Sequence, residues 1–321
     1  YTGMSDLVGV RRILYEPLVR WNSKFEVEPN LAESWEIDDE GRVYTFHLVK
    51  GVRWSDGEPF TADDIMFYFD DILLNKELTV AMPNWISPDG APPKVEKIDD
   101  YSFRIEFVRP YSIFIKQLAC PHGMELVTKP KHYLKNFHKK YADPEKLEQL
   151  IRERRVTSWV KLFHDVSNLR HAMFISTKFP SLCAWITKTP APSKRFLLSR
   201  NPYYWKVDPE GNQLPYIDSI VNELVAEPKT IVLKAIAGEI DMQGRHLGSM
   251  QNTVLLLASS ANGNFRLVPK TLSASVGILL APNINHNDPL MREVLSDRRF
   301  RIAISHAVNR SEINKIVCRG K

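Results

Sequence analysis

The chain has 321 residues, 44% apolar and 25% charged, with 43 Lys+Arg against 38 Asp+Glu for a formal charge of +5. That balance excludes a disordered chain and fits a globular protein large enough for two or three lobes. The basic residues are scattered, without the stripe and regularly spaced stacking aromatics of a nucleic-acid surface, so no nucleic-acid partner is expected.

The opening "YTGMSDLVGV" has neither the basic leader nor the apolar core of a signal peptide, which leaves the compartment open. From Trp35 the text reads as a β-hairpin: "SWEI", the turn "DDEG", then "RVYTFHLV", where Tyr44, Phe46 and Leu48 alternate with Val43, Thr45 and His47. The stretch "GVRWSDGEPFTADDIMFYFDDIL" follows, with Asp56-Gly57 as a turn and Thr61 with Asp64 as a capping-box variant. A helix is expected from Thr61 to Leu74. At about 100° per residue, Asp63, Asp64, Asp70 and Asp71 share one arc and Ile65, Met66, Tyr68, Phe69, Ile72 and Leu73 fill the opposite one. The expectation is an amphipathic helix with all four acids in water. "VEKIDDYSFRIEFV" repeats the hairpin device, with Asp99-Asp100 as the turn and Phe103, Ile105 and Phe107 on one face.

After Pro110, "SIFIKQLA" reads as a helix, and "DPEKLEQLIRERR" as another from Pro144 to about Arg155, with Asp143 as its cap. The basic runs "KNFHKKY" and "RERRV" are interleaved with Glu145, Glu148 and Glu153, as on a solvated helix face. Residues 176–195 are Pro-rich and are expected to be an irregular crossing segment. Strands are expected at "RFLLSR" and "IDSIVNELV", then a helix ending at Gly238 and a short strand at "EIDM". Sheet and helix are expected to alternate through "FRLVPK" and "SVGILLAPNI" to a helix at "SDRRFRIAISHAV" and a further helix start at Ser311. The class is mixed α/β. No run approaches the roughly 18 apolar residues of a membrane span, so none is expected.

Catalytic signatures are missing from the text. There is no GxGxxG or GxxxxGK(S/T) phosphate cradle and no GxSxG elbow. His132 and His138 are six apart and His164 and His171 seven apart, neither being the i, i+4 pair of a helical zinc site. Cys120, Cys183 and Cys318 are an odd count without CxxC spacing, which allows at most one intrachain disulfide and leaves open whether Cys120 and Cys183 pair. No cofactor and no metal are expected. A paired-carboxylate hydrolase needs two acids in different environments across a cleft, whereas four acids on one wet helix face share an environment. The tryptophans, such as Trp85, are mostly expected in the core, with one or two free to line a cleft, where flat aromatic surfaces suit peptides or sugars.

Several long stretches resemble the family 5 extracellular solute-binding proteins: "LYEPLVRW", "VEPNLAESWEIDDEGRVYTFHLVKGVRWSDGEPFTADDIMFYFDDIL", "RNPYYWKVDPEGNQLPYIDSIV", "AIAGEIDM" and "DRRFRIAISHAVNRSEI". These are receptors of ABC importers for dipeptides and oligopeptides, with relatives for nickel complexes and oligosaccharides. The resemblance implies a two-lobed, periplasmic-binding-protein-like α/β fold of the class II type, with an extra subdomain in lobe one. Residues 1–45 and 190–268 would form the core of lobe one, 46–189 the extra subdomain and 269–321 the start of a second lobe that is mostly absent. It implies an extracytoplasmic, monomeric receptor, free in a periplasm or lipid-anchored, that hands a small peptide or oligosaccharide-like solute to the membrane permease of an ABC importer and is no enzyme. Positions matching cleft-facing segments are Met4, Ser5, Asp6, Asn84, Trp85, Gln243 and Arg245, with Ser275 in the "SASVG" crossing into lobe two. The alternative is a secreted hydrolase of oligosaccharides or peptides, which would show two carboxylates facing each other with one pKa raised.

Overall fold

Hairpins with one apolar face need a layer to cover that face, and this requirement organises the first part of the chain. The computed structural model describes residues 14–168, 174–190, 193–244, 247, 250–268 and 279–317. Two units are present, Tyr1–Leu224 and Val225–Lys321.

In the first unit, β1 (Val19–Trp21) and β2 (Val27–Pro29) form a small antiparallel pair. Strands β3 (Ala32–Asp38), β4 (Val43–Leu48), β5 (Lys94–Asp99) and β6 (Ser102–Glu106) make an antiparallel sheet in the order β3-β4-β6-β5. Both expected hairpins are there. The turn between β3 and β4 takes Asp39, Glu40 and Gly41 into the left-handed region, with Gly41 at φ 89°, a conformation that only glycine adopts without strain. Register places Tyr44 opposite Ile105 and Phe46 opposite Phe103, so the predicted apolar positions meet on one face. Phe46 stacks on Phe103 at 5.3 Å, and Phe114 closes edge-on over Tyr44 at 5.1 Å and Phe107 at 4.7 Å. Phe114 belongs to the short helix α2 (Phe114–Leu118), which follows α1 (Ala62–Met66) in the chain. The core on this face runs without a break from Leu18 to Leu182.

Helix α1 starts as the sequence indicates. Asp63 N–H donates to Thr61 Oγ1 (3.3 Å) and Thr61 N–H to Asp64 Oδ2 (3.1 Å), the reciprocal cap. From Phe67 to Leu73 the helix widens into π turns, with Leu74 N–H bonded to Phe69 O at 2.9 Å. The expectation of four wet acids fails here. Asp64 and Asp71 are buried, at 4% and 6% exposure. Regular 3.6-residue arithmetic ends at Met66, and the segment after Pro130 lies across the supposed outer face. Asp64 Oδ1 accepts from Lys131 N–H (2.9 Å) and its Oδ2 from the Trp54 indole (3.3 Å). Asp71 accepts from Lys140 Nζ (2.7 Å) and the Tyr141 hydroxyl (2.6 Å). His138, also buried, donates through Nε2 to Asp71 O (3.0 Å) and accepts Lys140 N–H on Nδ1 (3.2 Å), a neutral imidazole used as a spacer.

The covering layer consists of a tight turn over Pro121–Val127, α3 (Lys131–Leu134), α4 (Pro144–Glu153) and α5 (Trp159–Ser167). Asp143 caps α4 by accepting from Lys146 N–H at 3.0 Å, as expected. Lys129, 5% exposed, is satisfied by Ser167 O at 2.9 Å and Glu125 at 2.7 Å. Gly123 lies so close to α2 that a Cβ would sit 2.0 Å from Leu118 O.

The segment expected to be irregular contains a strand, β7 (Trp185–Thr187), which pairs with β8 (Arg195–Arg200); β8 in turn pairs with β9 (Ser219–Glu223). Strand β7 is short and flanked by prolines, so composition hid it. Glu16 ties this region to the chain start. Its carboxylate, 6% exposed, accepts from the Tyr204 hydroxyl, from Lys206 Nζ (2.7 Å) and from Asn30 Nδ2 (3.1 Å). Cys183 and Cys120 are free thiols; Cys183 donates to Leu14 O at 3.3 Å, and burial pushes its pKa up to about 12. Cys318 lies outside the described residues.

In the second unit, α6 (Pro228–Ile236) ends before Gly238 and packs Val232 and Ala235 against Leu256 of α7 (Met250–Ser259). Helices α8 (Pro289–Ser296), α9 (Arg298–Ala307) and α10 (Arg310–Val317) follow. "EIDM" forms no strand, and no strand occurs among the described residues after Leu224. A strand exists only with a hydrogen-bonded neighbour, and none is supplied there. No described helix is long and apolar enough to cross a membrane.

Two outcomes follow from this packing. Burial raises the Asp64 carboxyl from the ordinary 3.8 to about 6, against three donors that favour the charged form. The stability this group supplies is complete below about pH 4 and is lost as pH rises toward 6. At about 1.36 kcal/mol per pK unit, that is a loss of about 3 kcal/mol. His138 acts the other way, because burial lowers its pKa and its stabilisation disappears as pH falls below the ordinary 6.5. Asp64→Asn separates the two: the denaturant-derived stability gap between wild type and variant should change by about 3 kcal/mol between pH 4 and pH 6, and a pH-independent gap contradicts the burial. Gly123→Ala should cost at least about 2 kcal/mol, since the clash is with backbone; a neutral thermal melt would show that the turn can shift.

Candidate functional site

Met4, Ser5, Asp6, Arg245 and Ser275 lie outside the described residues. Gln243 is exposed in the second unit, after α6. Asn84 and Trp85 are in the first unit, on the loop between the π turns and β5. Within the first unit the described candidates are Asn84 and Trp85, neighbours in the chain, and the structure surrounds them with residues that sequence reasoning missed.

Asn84 is exposed and Trp85 half-buried, its ring packed on the core edge. The Tyr111 hydroxyl donates to Trp85 O (3.1 Å), fixing the loop backbone to the start of α2. Opposite stands His122, in the turn after α2, with its ring centroid 5.2 Å from that of Trp85 and the planes inclined by 36°. His122 Nε2 bonds Gln117 Oε1 at 2.7 Å. With Gln117 accepting, the imidazole carries its proton on Nε2 and keeps Nδ1 as a free acceptor. Burial lowers the His122 pKa, which favours that neutral form. The turn that presents His122 is possible because Gly123 lets the chain pass against Leu118, and the Tyr15 hydroxyl donates to Ala119 O beside it.

The arrangement is a two-ring platform with one fixed imidazole acceptor and the exposed Asn84 amide at its margin. It offers a flat apolar surface and neutral hydrogen-bonding groups, which suits a neutral polar solute. It contains no nucleophile–base pair. Among the described residues, no group of three or more His, Cys, Asp or Glu converges as metal ligands would. The one signal that could have pointed to His122 is its setting in "CPHG", where Pro and Gly punctuate a turn.

The comparisons with known proteins point one way. The family model described as bacterial extracellular solute-binding proteins, family 5, matches residues 26–321. A periplasmic alpha-galactoside-binding protein of Rhizobium meliloti (strain 1021) is 31% identical over 96% of this chain and 43% of its own length. Among solved structures, an oligopeptide-binding protein OppA aligns with a TM-score of 0.76 and 39% identity, covering 97% of this chain and 48% of that one. The periplasmic binding protein MelB of Agrobacterium fabrum C58, in complex with stachyose, aligns with a TM-score of 0.67 and 27% identity over 97% of this chain and 45% of that one. The chain thus spans about half the length of the relatives it matches. On a match that covers nearly the whole chain, this protein belongs to the bacterial extracellular solute-binding proteins, family 5.

Proposed function

We propose that the protein containing this chain is an extracytoplasmic receptor that closes on a peptide or oligosaccharide-like solute and delivers it to the permease of an ABC importer. The observation that carries this reading is the Trp85–His122 platform, fixed by Gln117 and Tyr111, on a chain whose family is that of solute receptors. Two relatives extend the solute class in two directions, one named for alpha-galactosides and one for oligopeptides. Both classes are neutral or nearly so along their backbones and rich in hydrogen-bonding groups, which is what a ring surface with a neutral acceptor can meet.

The lobe assignment belongs to the same proposal. Residues 1–45 and 190–268 form the core of lobe one, with the join to the extra subdomain 46–189 falling inside β4, and residues 269–321 begin lobe two. Met4, Ser5, Asp6, Asn84, Trp85, Gln243, Arg245 and Ser275 are the solute-contacting positions of this proposal. Closure is a hinge motion of two lobes and requires no chemistry, so the receptor works as a monomer without catalytic groups. It resides outside the cytoplasm, free or lipid-anchored.

In the full-length protein, Trp85→Ala should weaken solute binding about tenfold, or about 1.4 kcal/mol, with an unchanged circular dichroism spectrum. An unaltered dissociation constant would remove Trp85 from the cleft. Calorimetry on residues 1–321 alone should detect the same solute weakly or not at all, because the chain spans about half the length of the receptors it matches; binding as tight as that of the full-length protein would refute the division into lobes.

A further inference from the structure

A cavity lies in the first unit, between the turn at Ser55-Asp56 and the chain from Ser176 to Thr187, with a volume of about 150 Å³. None of its lining residues belongs to the Trp85–His122 platform. At about 30 Å³ per water it holds about five, room for one small molecule. One wall is apolar: Phe179, 8% exposed, with Pro180, Ile186 and Trp185, whose indole is held by Ile217 O at 3.0 Å.

The other wall is polar and carries both charges. Ser55 Oγ accepts Ser181 N–H (3.0 Å) and Ser181 Oγ accepts Cys183 N–H (3.1 Å). The Ser55 hydroxyl is thereby oriented with its O–H left to donate. The Ser181 hydroxyl is engaged on Cys183, accepting its N–H and donating to its sulfur. Beside them, the Lys178 ammonium has no ion pair or hydrogen bond among the described residues, although its backbone N–H is fixed to Ser176 Oγ at 3.2 Å. Asp56 supplies the opposite charge at the rim, held in place by His132 Nε2 at 2.9 Å. One carboxylate of Asp56 and one ammonium of Lys178, with an apolar wall between donors, complement a molecule that carries an ammonium, a carboxylate and a short apolar body.

We propose that this cavity is a second binding site, for a single zwitterionic α-amino acid with an apolar side chain. The ligand carboxylate meets Lys178 and the hydroxyl of Ser55, its ammonium meets Asp56, and its side chain lies on Phe179 and Trp185. The cavity volume is of the size of one amino acid.

Saturation-transfer NMR on the 321-residue chain tests this with L-leucine and two analogues that each lack one charge, 4-methylpentanoate and 3-methylbutylamine. The expected result is saturable binding of L-leucine, with both analogues at least tenfold weaker. Lys178→Met and Asp56→Asn should each lose at least tenfold for L-leucine while keeping the wild-type circular dichroism spectrum. Lys24→Met, on an exposed lysine of the β1–β2 turn, should bind as wild type. Absence of saturable L-leucine binding, equal binding of either analogue, or wild-type affinity in both cavity variants would overturn the proposal.

Discussion

Burying a carboxylate costs several kcal/mol unless donors meet it, and the first unit buries three. Glu16, Asp64 and Asp71 are each 4–6% exposed. Each is met by donors that arrive from far along the chain: Tyr204 and Lys206 for Glu16, Lys131 for Asp64, Lys140 and Tyr141 for Asp71. These acids dictate which distant segments must pack together. If the segment 131–141 lifted away, Asp71 would lose Lys140 and Tyr141 and Asp64 would lose Lys131 at once. If residues 204–206 moved, Glu16 would be left facing Cys183 and Asn30 without a cation.

This constraint sets the platform. The covering layer must return over the acidic helix, so the turn after α2 has to be tight, and Gly123 makes it so by passing within contact of Leu118. The same turn carries His122 to Trp85. Lys129, buried between Ser167 and Glu125, then fixes the exit of that turn to α5. Binding groups held in this way are oriented before a solute arrives, so less ordering entropy is lost on binding. Burial also keeps His122 neutral, matching the uncharged character of the platform.

Local features were legible in the sequence. The alternation of Tyr44, Phe46 and Leu48, the Thr61–Asp64 cap and the Asp143 cap depend on residues a few positions apart, and all three formed. Asp64 and Asp71 were misread because their burial comes from residues more than sixty positions away, and because π turns shift the helical arc after Met66. The pairing of Trp85 with His122 was equally out of reach, as nothing in the spacing of "PNWIS" and "CPHG" relates them. "EIDM" shows the converse: strand-like text forms no strand without a partner. Wording shared with family 5 proteins carried the fold class further than periodicity could, since it reports the global arrangement that local patterns lack.

A receptor differs from a hydrolase in what it does after binding: it holds the solute and releases it unchanged. Nothing in the described site supplies a nucleophile or a pair of carboxylates in opposed environments. Native mass spectrometry of the full-length protein purified from its source, followed by identification of the released small molecule, tests this most directly. The account predicts one intact peptide or oligosaccharide per protein, unchanged in mass after prolonged incubation. Release of cleaved fragments from that solute over time would contradict it.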